Sequence, residues 1–239
     1  MIENFDEQYL YFAEKYLTAE RTRADCDLIE NACGLRKGDR VLDVGCGHGR
    51  ISNELASRGY KVIGIDINEF ALEVAVKQAR VLGLAVEYIK MDFFNIDKLE
   101  KFDCALSWYT SFGYSDDRAC RGQLRSIYAS LKKGGRFVLD HINRDRCLKS
   151  LPPASVHDRG DDFMIDFFNY DVEGGRLFVD RRYSKEGVVT SSPYSIRLLT
   201  YPELKDWMEY SGFKDVAGYD SNGMQYGLES SRMVVVGVK

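Results

Sequence analysis

With 239 residues, 45% of them hydrophobic and 29% charged, the chain has the size and balance of one globular unit with a sizeable core, which excludes a disordered or fibrous polymer. Its 33 basic and 37 acidic residues leave a net charge of −4, so no global field draws in a polyanion and nucleic acid is a poor default partner. Six cysteines without a C-x-x-C pair argue against a zinc site or a disulfide framework and point to reduced thiols in a cytoplasmic protein.

Residues 1–7 are acidic and lack the basic start and apolar run of a signal peptide, and no apolar stretch reaches membrane-crossing length. Asn4 and Glu7 form a helix-start signal, after which Tyr9, Phe12, Ala13 and Tyr16 recur at helical spacing as one aromatic face. A second helix is expected over residues 22–32, stopping at Gly34. These two helices either lie over a ligand as a lid or serve only to pack.

Residues 41–44 are a short apolar run that breaks into Gly45-Cys46-Gly47-His48-Gly49-Arg50, read as a first strand and a turn that carries a small-molecule cofactor. A helix over 51–57, a strand over 60–65 ending in Asp66, and an Asn68-capped helix running to Gly83 follow. Strands are expected over 85–89, ending near Asp92, and over 102–107. This alternation predicts a parallel sheet with helices on both faces. Ser115-Asp116-Asp117 opens a helix with Leu124, Ile127, Tyr128 and Leu131 on one side, and the turn Lys132-Lys133-Gly134-Gly135 feeds a fifth strand over 136–140.

From Arg144 to about Leu199 the pattern changes. Extended runs over 163–170, 176–183 and 194–199, separated by Glu173-Gly174-Gly175 and Lys185-Glu186-Gly187, predict an antiparallel insertion. Thr200-Tyr201-Pro202-Glu203 is a capping box that opens a helix ending at Gly212. Strands over 213–218 and 233–238 then form a hairpin that adds one antiparallel strand to the parallel sheet.

The acidic residues around the glycine turn define its ligand. Asp43 stands where dinucleotide folds keep an apolar residue, and a carboxylate there suits a cationic ligand better than a pyrophosphate. Asp66 ends the second strand and can accept from both hydroxyls of a ribose, a feature shared with NAD enzymes. Asp92 can take the exocyclic amine of an adenine, with Met91 or Phe93 against the ring; the alternative for Asp92 is a solvated loop carboxylate. Arg50 occupies the position of the third dinucleotide glycine.

In this order the segments resemble the class I S-adenosylmethionine-dependent methyltransferases, over nearly the whole chain from Val41 onward. Asp43, Gly45, Gly47 and Gly49 match that family's first motif, Asp66 its ribose-binding acid and Asp92 its adenine-contacting acid. The resemblance implies a Rossmann-like seven-stranded, mostly parallel sheet with an antiparallel last strand, here with a β insertion and an N-terminal helical lid. One methyltransferase domain over 1–239 is expected: helices over 1–34, a cofactor-binding core over 35–143, the acceptor-binding insertion over 144–199, and the C-terminal helix and hairpin over 200–239. The candidate contacts to S-adenosylmethionine are Asp43, Gly45, Cys46, Gly47, Gly49, Asp66, Ile67, Met91, Asp92, Phe93, Ser107 and Trp108.

The segment Ser107-Trp108-Tyr109-Thr110-Ser111-Phe112-Gly113-Tyr114 is expected to face the transferred methyl, and it lacks the Asn/Asp-Pro-Pro-Tyr/Phe motif of nucleobase and glutamine methyltransferases. Together with Ile196-Arg197-Leu198-Leu199-Thr200-Tyr201 it is similar to small-molecule methyltransferases, including the N,N-dimethyltransferases of nucleotide-linked amino sugars. The expected activity is N-methylation of a small-molecule acceptor, with O-methylation second. His141, Tyr109 and Tyr16 are the candidate catalytic residues, His141 as a base or else as a structural histidine, and Tyr9 is a further candidate for shaping the pocket. Arg144, Arg146, Arg181 and Arg182 either grip an acidic group of the acceptor or form a solvated face. No metal, nucleic acid or membrane is expected to take part, and the protein is expected as a monomer or homodimer. Two other readings share parts of the pattern: an NAD-dependent oxidoreductase, against which Arg50 and Asp43 count, and a non-catalytic protein that binds S-adenosylmethionine.

Overall fold

A computed structural model describes residues 6–239. Helices α1 (Glu7–Ala13) and α2 (Ala19–Cys33) come first. The chain then alternates through β1 (Arg40–Val44), α3 (Arg50–Ser57), β2 (Lys61–Asp66), α4 (Glu69–Val81), β3 (Val86–Lys90), a 3₁₀ turn (Phe93–Lys98), β4 (Phe102–Ser107), α5 (Asp117–Ser130) and β5 (Leu131–Ile142). Helix α6 (Arg144–Lys149) leads into β6 (Ala154–Arg159), β7 (Asp162–Asp171), β8 (Arg176–Lys185), β9 (Val188–Ser191) and β10 (Tyr194–Arg197). Helix α7 (Tyr201–Tyr210) and strands β11 (Lys214–Tyr219) and β12 (Arg232–Val238) close the chain.

The main sheet runs β3-β2-β1-β4-β5-β12-β11. Strands β1 to β5 are mutually parallel, while β12 pairs antiparallel with both β5 and β11. Both faces of this sheet are buried, and its side chains alternate between two cores. Leu42, Ala105, Phe137, Leu139 and Val235 pack with α5 and α7, whereas Val41, Leu106, Val138 and Val234 pack with Cys26, Ile29, Ile51 and Leu55 of α2 and α3. The order of strands reverses between β1 and β4, so a crevice opens at their carboxyl ends.

A second, antiparallel sheet runs β6-β7-β8-β10, with β9 paired to β8 beside β10. Helix α1 belongs mechanically to this sheet. Tyr9, Phe12 and Ala13 form a small core with Met164 and Tyr183, and the Phe12 and Tyr183 rings stack at 5.9 Å.

Local signals account for most boundaries. Asp6, Thr18, Asn68 and Asp116 cap their helices through side-chain oxygens, Gly34 ends α2 in the left-handed conformation, and Thr200 with Glu203 forms the expected capping box. The start signal expected at Asn4 lies outside the described residues, and Asp6 performs the capping of α1. Three departures have physical reasons. Residues 132–135 are not a free turn: Gly134 N–H donates to Lys239 O and Lys239 N–H to Gly135 O, so the C-terminus draws this stretch into β5. The insertion opens with a helix that its β pattern did not announce: Asn143 accepts from Arg146 N–H and starts α6 over residues 144–149. Strands β6 and β9 extend the insertion; each is short and held by pairing with β7 or β8.

Candidate active site

Strand β1 delivers Asp43 to the crevice and then turns sharply. Gly45 and Cys46 both donate their N–H groups to Ile65 O, at 2.9 and 3.0 Å, which locks the turn onto the end of β2. Gly45 has φ +77°, and a Cβ there would meet Ser111 Cβ at 2.7 Å, so only glycine fits. Asp66 closes the turn from the other side: its carboxylate accepts from Gly47 N–H at 2.8 Å and from Asn68 N–H at 2.9 Å.

Between these groups lies a cavity of ≈ 230 Å³. Of the expected cofactor contacts, Asp43, Gly45, Cys46, Gly47, Asp66 and Ile67 border it from β1, β2 and the turn. Met91, Phe93 and Trp108 border it from the ends of β3 and β4. Gly49, Asp92 and Ser107 do not. Gly49 starts α3 in the left-handed conformation, packed under Tyr88; Asp92 is exposed and caps the 3₁₀ turn by accepting from Phe94 N–H at 2.9 Å; Ser107 is wholly buried on β4. The sequence placed Asp92 and Ser107 by their nearness to strand ends, which fixes the edge of the sheet but not the side chain's direction, and Gly49 by its place in the glycine motif, where it serves the turn into α3.

Burial sets the electrostatics of this cavity. Asp43, only 2% exposed, is pushed up to about 7 by desolvation even though Ser52 Oγ donates to it at 2.7 Å. Desolvation also pushes the Cys46 thiol well up, and drives His48 down to about 4, so the imidazole is neutral. Arg50 also borders this cavity, where its guanidinium pairs with Asp25 of α2 at 2.7 Å and lies 5.7 Å over the Tyr109 ring.

A second cavity, of ≈ 630 Å³, adjoins the first. Tyr9, Tyr109, Thr110 and Tyr114 border both, forming a common wall. Its far side is built by α1 and the antiparallel sheet, including Tyr16, His157, Met164, Arg181 and Tyr194. Two arginines reach it, Arg181 buried and Arg232 partly so. Arg181 is held bidentately by Asp166 at 2.7 and 2.7 Å and lies 5.4 and 5.1 Å over the Tyr9 and Tyr194 rings. Arg232 of β12 is held by Asp140 at 2.9 and 2.7 Å. Each cation is therefore neutralised in place, and burial pushes the hydroxyls of Tyr9, Tyr16, Tyr114 and Tyr194 upward, Tyr9 to about 12. At neutral pH these tyrosines keep their protons and the two arginines are paired, with Lys15 and Asp158 paired at the exposed rim.

Of the candidate catalytic residues, Tyr109 borders both cavities and Tyr16 the second, in the turn that follows α1. His141 borders neither. It is 0% exposed, desolvation lowers it to about 4, and a Cβ on Gly113 would stand 3.2 Å from its Nε2, so the ring is sealed beneath the Phe112–Tyr114 segment. Adjacent residues of a strand point to opposite faces, and it is Asp140 that turns toward the wall. The arginine group also divides: Arg181 reaches the second cavity, Arg144 donates to Tyr170 Oη at 3.0 Å, and Arg182 pairs with Asp180 on the surface. Sequence reasoning missed Arg232 and His157. Nothing local marks either one, since Arg232 meets Asp140 from a strand 92 positions away and β6 carries no clear alternation.

The residues present suit a bulky ligand with a cationic centre. A Cβ at Gly47, φ +53°, would project into open space, so the turn forms a cradle that a side chain would fill. The Trp108 Nε1 proton is buried without a partner within the protein. Among the described residues no three His, Cys, Asp or Glu side chains lie together as a metal site, and no helix is long and apolar enough to cross a membrane.

Comparison with known proteins places these features in context. A family model described as a methyltransferase domain matches residues 35–174. A ubiquinone biosynthesis O-methyltransferase of Azoarcus sp. (strain BH72) is 50% identical over 62 residues, 26% of either chain. The matched stretches span about half or less of the length of such sequence relatives. An S-adenosylmethionine-dependent methyltransferase from Clostridium acetobutylicum ATCC 824 superposes with a TM-score of 0.83 at 17% identity, covering 96% of this chain and 98% of its own. CalS10, an amino pentose methyltransferase from Micromonospora echinaspora solved with S-adenosylmethionine bound, superposes with a TM-score of 0.69 at 18% identity, covering 97% and 95%.

Proposed function

This chain belongs to the methyltransferase-domain family, whose cofactor is S-adenosylmethionine, and from that premise we propose that it methylates a nitrogen of a small molecule seated in the second cavity. The observation that carries this reading is the common wall of Tyr9, Tyr109, Thr110 and Tyr114 between the two cavities. A methyl group leaving the first cavity through that wall enters the second.

The turn Gly45-Cys46-Gly47 and Asp66 would hold the cofactor's nucleoside, with Met91 and Phe93 against its base, and Asp43 would face its cationic part. When bound, S-adenosylmethionine supplies an activated methyl on a positively charged sulfur. For such a displacement the protein contributes alignment and a suitable field. The rings of the wall offer π faces to a cation, and the second cavity adds no net charge that would repel one. An amine must be unprotonated to attack and sheds a proton afterwards. His157 is the histidine of the three that borders the second cavity, its ring 6.1 Å from that of Tyr16, and we assign it the role of taking this proton. A structural neighbour, the sugar N-methyltransferase KedS8 from Streptoalloteichus sp ATCC 53650, supports nitrogen as the acceptor atom, and the balanced charge of the cavity supports a small polar acceptor rather than a polyanion.

Two experiments test the reading. Thermal-shift titration is expected to give stabilisation by S-adenosylhomocysteine and none by NAD; stabilisation by NAD alone would overturn it. His157→Gln is expected to lower turnover about 100-fold while leaving affinity for S-adenosylhomocysteine unchanged, and unaltered turnover would remove His157 from the mechanism.

A further inference from the structure

The wall between the cavities contains a backbone conformation that ordinary residues avoid. Tyr109 has φ +54° and Thr110 φ +65°, two consecutive non-glycine residues in the left-handed region, the second of them β-branched. Such a conformation persists only where its surroundings over-determine it.

We propose that the Asp140–Arg232 pair is a positioning device that holds Tyr109 and Thr110 in this conformation, and so sets the alignment of the two cavities. All three oxygens of Asp140 are committed to it. The Asp140 carbonyl accepts from Thr110 N–H at 3.0 Å, and Asp140 Oδ2 accepts from Tyr109 N–H at 2.9 Å. Arg232 grips the carboxylate with Nε on Oδ1 and Nη2 on Oδ2, and the same Nη2 donates to Thr110 Oγ1 at 2.6 Å. Its guanidinium also lies 5.2 Å over the Tyr109 ring, which Arg50 approaches at 5.7 Å. One residue further on, Ser111 Oγ donates to Gly45 O at 2.9 Å, tying the held segment to the glycine turn. A buried ion pair of this kind contributes little to stability for its desolvation cost, so its use lies in the geometry it enforces. The inference rests on reading the two cavities as cofactor and acceptor sites.

The test uses the full chain, with affinity for S-adenosylhomocysteine measured by calorimetry and folding checked by thermal melting. Arg232→Gln is expected to weaken that affinity about tenfold or more, because the wall relaxes away from the cofactor cavity. Adding Thr110→Gly, which removes the left-handed penalty, is expected to restore most of the affinity. Adding Thr110→Ser, which keeps a side chain and therefore the penalty, is not. Where Arg232→Gln fails to fold, Arg232→Lys carries the same pair of comparisons, since lysine cannot make the two-point grip. An unweakened Arg232 variant, or equal affinities with glycine and serine at position 110, would overturn the proposal. Absence of S-adenosylhomocysteine binding to the unaltered chain would instead overturn the reading of the cavities.

Discussion

Asp43 couples the cofactor cavity to pH. Burial raises its carboxyl from the usual range to about 7, so the fold favours the protonated form. The stability this confers is fully present below about pH 4, where the unfolded chain is protonated too, and is lost as pH rises through 7. The ligand-free protein is therefore expected to lose more thermal stability between pH 5 and pH 8 than Asp43→Asn does. Parallel pH dependence in the two proteins, read by differential scanning fluorimetry, would contradict this. A cationic ligand favours the carboxylate, so the stabilisation by S-adenosylmethionine should grow over the same interval. Asp43 and Asp66 were legible as residues facing the cavity because both end strands beside the glycine turn. His141 and Asp140 show the limit of that logic. The sequence puts both at the end of β5, and only the pairing of β5 with β12 decides that Asp140 meets the wall while His141 is sealed away.

At the scale of elements, the glycine turn separates ligand binding from folding. Gly47 has open space where a Cβ would stand, whereas a Cβ at Gly49 would meet the Tyr88 hydroxyl and Ala75 Cβ at 2.3 and 2.8 Å. Both have positive φ, so either alanine costs about 1–2 kcal/mol in backbone conformation. Gly47→Ala should lower affinity for S-adenosylhomocysteine by about tenfold or more with a small loss of melting temperature, and Gly49→Ala should lower the melting temperature more. The reverse order in melting experiments would refute this division. The turn and the parallel strands were readable because their signals are local: apolar runs, caps and glycine spacing. The insertion was read as extended, but β9 has only four residues and gains its structure from β8. The aromatic face of α1 was visible as periodicity, whereas its partner, the sheet carrying Met164 and Tyr183, lies some 150 positions away and was not.

The whole molecule joins two sheets at one wall. The parallel sheet carries the glycine turn and the acids at its strand ends, and the antiparallel sheet with α1 encloses the second cavity. Neither sheet alone forms the wall the two cavities share, which needs Tyr9 from α1, Tyr109 and Thr110 from the segment after β4, and Tyr114 beneath the insertion. The central claim is that a methyl group crosses this wall to a small amine. Its most direct test is to incubate the protein with S-adenosylmethionine bearing a deuterated methyl and a small-molecule metabolite extract, and to follow the label by mass spectrometry. The account predicts enzyme-dependent label on the nitrogen of a small molecule; label confined to protein or nucleic acid, or no transfer from a chain that binds S-adenosylhomocysteine, would contradict it.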